Sequence, residues 1–222
     1  MGFIRLYTPM KPYAESGATV AASVDAQASA DAQTSESSLQ SADTDLLPIG
    51  ARPRAANPPD FEPDMFRNVL GQFATGVTII TTRSEEGGLA GLTASSFNSV
   101  SLTPPLILWS LANKSGSLPT FQTNTHYVVN VLSSAQVELC LRFATAKGDR
   151  FEGVPYRLNA EGIPILEGAL AWFECHNRSR YVEGDHVIFV GEVERCGFND
   201  ASAEAGPLVF HGGRFHSVDP LE

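Results

Sequence analysis

The chain is poor in cysteine, in basic side chains and in long apolar runs, and each shortage excludes something. Its three cysteines, Cys140, Cys175 and Cys196, lie far apart with no C-x-x-C pair. Neither a zinc ribbon nor a disulfide framework is indicated, and a reducing compartment is the simplest reading. Against 25 acidic side chains there are 15 basic ones, a formal net charge of −10. That balance excludes nucleic acid and anionic membranes as main partners, because both need a basic face that releases counterions. Apolar runs such as Leu106 to Trp109 fall far short of the ~20 residues that span a bilayer, and no basic segment leads into an apolar one at the start. A soluble, cytoplasmic protein is expected.

Aromatic residues are missing altogether from Ala14 to Asp60 and frequent from Phe61 onward. The stretch Glu15 to Asp45 is built of Ala, Ser, Asp, Gln and Thr, which cannot bury enough apolar surface to offset the entropy of ordering. Pro48, Pro53, Pro58 and Pro59 then suit an extended linker. Residues 1–60 are therefore expected to be a disordered tail and residues 61–222 one folded domain, large enough to bury a core without staples. A transit peptide does not fit, given Glu15, Asp25, Asp31, Glu36, Asp43 and Asp45. The tail reads as dispensable or as an over-called start, and a mature chain beginning near Met65 would show the latter. It carries 4 basic and 7 acidic residues, so most of the acidity belongs to the domain.

A helix is expected to open the domain. Pro63 suits its first turn, Glu62 and Asp64 its positive end, Met65, Val69 and Phe73 recur at i, i+4, i+8, and Gly76 is placed to stop it. The pattern then turns to β. Val77 to Arg83 is β-branched nearly throughout, and Glu85-Glu-Gly-Gly88 is a turn into a second strand from Leu89, which makes a hairpin. Further strands are expected over Ser99–Leu102, Leu106–Leu111, Tyr127–Leu132, Leu170–Arg180, His186–Cys196 and Leu208–His211. Short helices are expected near Leu118–Thr123 and over Ala135–Ala144, the latter with Ser133 and Gln136 as a capping box. Many strands, few helices and short connections favour a mainly β antiparallel barrel over a doubly wound α/β fold.

Several familiar signatures are absent. Gly71 to Thr78 has P-loop glycine spacing, but Val77 stands where the lysine must be, and a helix precedes the strand instead of following it. There is no G-x-G-x-x-G after a strand and no G-x-S-x-G elbow. What is present is a run of small hydroxyl residues, Gly91-Leu-Thr-Ala-Ser-Ser-Phe-Asn-Ser-Val-Ser101, whose main-chain N–H groups can approach a flat or anionic ligand. A second segment, Asn113-Lys-Ser-Gly-Ser117, brings a lysine and hydroxyls to a helix start, where a phosphate can sit. Each also reads as an ordinary polar loop or capped turn. Asp185 and His186 follow Gly184 at a strand start, and alternation along a strand would point them to opposite faces, so no Asp–His dyad is expected. His126, His176, His211 and His216 lack partners at ligand spacing, and no metal site is expected.

In order, these segments resemble the flavin reductase-like family of FMN-binding split barrels, the reductase components of two-component flavin monooxygenases. The resemblance runs from about Met65 to Val218. It rests on Phe66 to Thr78, Gly91 to Phe97 with Ser99-Val-Ser101, Pro104-Pro105, Gly184-Asp-His186 with Gly191-Glu-Val193, and Pro207 to Phe215. It implies a Greek-key type split barrel, a homodimer, FMN or FAD bound near the subunit interface, NADH or NADPH as electron donor, and a separate flavin-dependent monooxygenase as partner. By position, Thr93, Ala94, Ser95, Ser96, Phe97 and Ser99 look like the flavin-cradling strand end. Lys114, Ser115 and Gly116 look like its phosphate-side partners. His186 matches the histidine on the nicotinamide side, and Phe210 and Phe215 occupy aromatic positions of the closing motif, where tyrosine is common at the latter. Lys147 to Phe151 resembles an acid–base–Phe element, with Arg150 where lysine also occurs and its role left open. A flavin-binding barrel without turnover is the alternative, and the Gly-Asp-His element argues against an oxidase of the pyridoxamine phosphate type.

Overall fold

The computed structural model describes residues 57–145, 148–199 and 205–218. The expected tail lies outside these residues apart from its last four. Helix α1 (Pro63–Leu70) opens on Pro63 and Asp64 as expected, but it ends at Leu70 and does not reach Gly76. The last helical bond runs from Gly71 N to Arg67 O at 2.9 Å. Thr75–Gly76 instead forms a short strand, β1, so sheet pairing ends the periodicity that Met65, Val69 and Phe73 suggested. No residue of α1 is buried, and Met65, Phe66, Val69, Leu70 and Phe73 are each about half exposed or more.

The remaining strands follow in chain order: β2 (Thr78–Arg83), β3 (Leu89–Ala94), β4 (Asn98–Leu102), β5 (Pro105–Ala112), β6 (His126–Val131), β7 (Tyr156–Leu158), β8 (Pro164–Leu166), β9 (Ala171–Glu183), β10 (His186–Phe198), β11 (Val209–His211) and β12 (Arg214–His216). Seven of them form one antiparallel sheet in the order β3-β2-β6-β9-β10-β5-β4. Its two edge strands, β3 and β4, are neighbours in the chain, joined only by Ser95, Ser96 and Phe97. The sheet therefore curls back on itself. Ser96 spans the seam: its hydroxyl accepts from Ser110 N at 3.0 Å and donates to Ser110 O at 3.1 Å, standing in for a ladder partner of β5. This is a split barrel, the expected class.

The β-branched run explains why β2 lies at the centre. It is buried on both faces, with Ile80 packed inside the barrel and Ile79 in a second cluster outside it. Inside, Trp109 stacks on Phe189 at 4.5 Å and meets Phe121 and Tyr127 edge-on at 5.1 and 5.6 Å. Such ring pairs contribute about 1 kcal/mol each beyond their burial. Outside, helix α3 (Val137–Thr145) lays Cys140 and Phe143 against Val77, Ile79, Leu132 and Leu208. A 3-10 turn, Ser134–Gln136, leads into it, with Gln136 Oε1 accepting from Ser133 N at 3.1 Å as the capping box requires.

The hairpin β7–β8 was not expected from the sequence. It is held by side chains distant in the chain: Leu166 N donates to Asn130 Oδ1 at 2.8 Å, and the Thr81 hydroxyl donates to Pro164 O at 2.6 Å. A separate three-stranded sheet, β1-β11-β12, packs Phe210 and Phe215 against the outer cluster.

Candidate functional site

A cavity of about 590 Å³ opens between three segments. One is β3 from Leu89 to Thr93, one is the loop Lys114–Ser117 leading into helix α2 (Leu118–Thr123) with Thr120, and the third is Phe143 and Ala144 of α3 with residues 148–151. Its size lies in the usual range for a cofactor-sized ligand. Gly91 makes the third wall possible, because it leaves the room in which the Phe143 and Phe151 rings meet at 4.9 Å, perpendicular to each other. Arg150 Nη1 donates to Gly91 O at 2.6 Å, and Phe151 N donates to Asp149 Oδ1 at 2.8 Å, so the 149–151 turn is tied to β3 and to itself. The cavity thus receives one cation from the 114–117 loop and one from the 148–151 segment.

The structure gathers some of the sequence-derived residues here and puts others elsewhere. Lys114, Ser115 and Gly116 line the cavity, as does Thr93. The Thr93 hydroxyl, however, donates to Cys140 O at 2.7 Å and serves to fasten β3 to α3. Ala94 is buried and accepts from Thr78 Oγ1 through its carbonyl at 2.8 Å. Ser95 follows β3 at the barrel seam, and the Ser96 hydroxyl is engaged with Ser110. Phe97 packs on Phe173 at 5.5 Å against the barrel core, and Ser99 is exposed on β4. Phe210 and Phe215 face each other across β11–β12 at 5.3 Å and pack on the outer cluster that also holds Phe143 and Phe151, without lining the cavity. Phe143 gave no signal in the sequence, and Gly91 stood only as the start of the hydroxyl-rich run, without a role of its own. For Gly91 the available signal was a glycine inside a strand, which marks a close approach.

His186 sits beside this site and corrects one expectation. Its Nδ1 lies 2.7 Å from Asp185 Oδ1, so the two residues do form a dyad. The alternation argument fails because Asp185 is not in the strand: β9 ends at Glu183, β10 begins at His186, and Gly184 and Asp185 make the two-residue turn between them. Gly184 adopts φ +57°, a region open to glycine. Asn113 pins this turn to the lysine loop, its N donating to Asp185 O at 2.9 Å and its Nδ2 to Gly184 O at 3.3 Å. The hydrogen bond from His186, with the charges of His186 and Lys114, holds the Asp185 carboxyl below its ordinary range.

Comparison with known proteins identifies the group. The family described as the flavin reductase like domain matches residues 70–219. The chain belongs to that family. Among curated relatives, the FMN reductase (NADH) SmoA of Agrobacterium fabrum is 46% identical over 150 residues, 68% of this chain and 83% of that one. The reductase subunit HsaB of a flavin-dependent monooxygenase of Mycobacterium tuberculosis is 36% identical over 159 residues, covering 72% and 84%. Among solved structures, the NADH:FAD oxidoreductase SgcE6 of Streptomyces globisporus, in complex with NAD and FAD fragments, superposes with a TM-score of 0.66 at 35% identity, covering 71% and 93%. The matched region, residues 70–219, contains the barrel and every segment that lines the cavity. The donor set fits a flavin phosphate: a lysine, an arginine and the hydroxyls of Ser115, Ser117 and Thr120 around one opening.

Proposed function

We propose that this protein is an NAD(P)H-dependent flavin reductase that supplies reduced FMN or FAD to a separate flavin-dependent monooxygenase. The observation that carries the reading is the cavity beside the barrel seam, where Lys114 and Arg150 supply charge and the Asp185–His186 turn is tied to the lysine loop. A flavin held there would supply the redox chemistry of accepting hydride from NADH or NADPH.

The chain's own residues then have to bind, orient and stabilise charge. Lys114 and Arg150, with Ser115 and Gly116, hold the phosphate. Main-chain N–H groups of Thr93 to Phe97 would stabilise the negative charge that a bound flavin gains on reduction. Phe210 and Phe215 supply aromatic packing at the closing end. His186 orients the nicotinamide against the flavin ring, since hydride transfer needs reacting atoms roughly 3 to 3.5 Å apart. No side chain has to act as a general acid or base.

The protein works as a homodimer in the cytoplasm, with residues 61–222 as its folded domain and residues 1–60 as a tail. The dimer is supported by the exposure of five large apolar side chains close together in the chain, Met65, Phe66, Val69, Leu70 and Phe73. Mixing purified protein with NADH and FMN and following the nicotinamide absorbance tests the function. Rapid loss that depends on added flavin supports it. Tight flavin binding with no loss of NADH or NADPH would replace it with a flavin carrier.

A further inference from the structure

Resting on the reductase reading, we propose that a second cavity, lined by Arg83, receives the adenylate half of FAD, so that this chain prefers FAD to FMN. This cavity, of about 350 Å³, lies between Arg83 with the β2–β3 turn, the residues that follow α2, and Glu161 with Ile163. Its size is that of a small-ligand site. Two relationships make it the neighbour of the larger cavity. Arg83, in the second cavity, is the register partner of Leu89, in the first, and directly opposed residues of an antiparallel pair stand about 5 Å apart. Thr120 lines the first cavity and Asn124 the second, and the two are one helical turn apart at the end of α2, with Asn124 N donating to Thr120 O at 3.1 Å. A flavin longer than FMN therefore finds the second opening next to the first.

The chemistry of this second cavity matches an adenylate. Arg178 and Arg195 are committed to carboxylates, but the Arg83 guanidinium makes no hydrogen bond or ion pair among the described residues. Two glycines leave the room it occupies: a Cβ on Gly162 would lie 2.6 Å from its Nη1, and one on Gly87 would lie 3.3 Å from its Nη2. A guanidinium placed this way and left uncommitted is a receptor for phosphate. The carboxylates nearby do not take that role from it, since both oxygens of Glu161 accept from Arg195, at 2.8 and 3.0 Å, and Glu85 stands exposed on the turn. They do make the cavity mixed in sign. A bare polyanion is therefore disfavoured, whereas the ribose of an adenylate brings hydroxyl donors that suit carboxylates. Asn124 Nδ2 is engaged with Thr82 Oγ1 and the Arg83 carbonyl, which leaves Asn124 Oδ1 to accept from the adenine amine.

The test is a set of binding measurements on the full chain. Calorimetric titration should give a dissociation constant for FAD about tenfold below that for FMN, the size of one charge-assisted phosphate contact. Arg83→Ala should raise the FAD constant to that of FMN and leave FMN unchanged, and Arg83→Lys should keep part of the difference. AMP, which carries the adenylate alone, should displace FAD from the wild-type protein and leave FMN in place. Equal affinities for FAD and FMN in the wild type, or an Arg83→Ala variant that weakens both flavins alike, would overturn the proposal. AMP that competes with NADH or NADPH and not with FAD would also overturn it, by giving the cavity to the pyridine nucleotide. None of these readouts requires turnover. A wild-type protein that oxidises neither NADH nor NADPH would overturn the reductase reading, and the two flavin constants would still decide the role of Arg83.

Discussion

A Cβ placed on Gly91 would lie 2.6 Å from Cε1 of Phe143 and 3.1 Å from Cζ of Phe151. Real side chains do not tolerate such contacts, and one of the two rings would have to shift. Gly91→Ala is expected to cost about 1–3 kcal/mol of stability, the usual range for overpacking. Urea unfolding measures it directly. Because both rings line the cavity, flavin affinity should fall in the same variant, and full stability together with full affinity would show that the rings have room to move.

Lys114 and Arg150 should separate by ligand. Lys114 is exposed and touches the cavity as a charge, so Lys114→Ala should weaken FMN binding about tenfold while leaving riboflavin, which has no phosphate, nearly unaffected. Arg150 also holds Gly91 O, so Arg150→Ala should weaken both ligands. Quenching of flavin fluorescence gives the four dissociation constants. Equal losses for FMN and riboflavin in the lysine variant would remove Lys114 from the phosphate.

Acid should loosen the β7–β8 hairpin first. Arg195 donates twice to Glu161, at 2.8 and 3.0 Å, and once to Glu174 at 3.1 Å, while Asn159 donates to Glu174 at 2.9 Å. Desolvation opposes ionisation of Glu161, but the Arg195 hydrogen bonds outweigh it and hold the carboxyl below its ordinary 4.5. A carboxyl lowered in the folded state contributes fully above its unfolded value and loses that contribution as the pH falls through the folded one. Thermal unfolding between pH 6 and pH 3 should therefore steepen below about 4.5 in the wild type, and Arg195→Ala should flatten that limb. Parallel curves for the two proteins would contradict this.

Cysteine reactivity should be confined to one position. Burial pushes the Cys140 thiol up to about 11 against the opposing hydrogen bond from Thr93, and burial raises Cys175 as well, with nearby acidic groups adding to it. Cys196 is exposed on β10. A native thiol titration should count a single fast-reacting group per chain, absent in Cys196→Ser. Rapid modification of all three would mean that the core opens on the time scale of the assay.

How far the sequence could be read depended on the range of the interactions involved. Strands with strong local patterns, Leu106–Leu111 and His186–Cys196 among them, recur in the structure with extended ends, and the Ser133–Gln136 cap and the helix Leu118–Thr123 sit where local chemistry put them. The two strands of one short hairpin did not announce themselves. Tyr156–Leu158 and Pro164–Leu166 exist because Asn130 and Thr81, far back in the chain, hold that hairpin in place. At the site, the Lys114–Gly116 loop was legible from charge and small residues. The Asp185–His186 bond was not, because it depends on which residue the turn takes out of the strand. The hydroxyls of Thr93 and Ser96 were visible as residues, but their commitment to Cys140 O and to Ser110 was not.

The seam of the barrel has a consequence for chain length. Three residues, Ser95 to Phe97, connect strands at the two outer edges of a seven-stranded sheet, and the Ser96 hydroxyl is matched to both main-chain groups of Ser110. The turn at residues 84–88 can grow at little entropic expense. A single residue inserted among 95–97 would instead break the match of Ser96 to Ser110 or slip β4 against its partner β5, exchanging its inward and outward faces. The stretch proposed to meet the flavin is therefore also the connection least free to change in length, so variation in ligand preference has to be accommodated by the lysine loop and by residues 148–151 on the other walls.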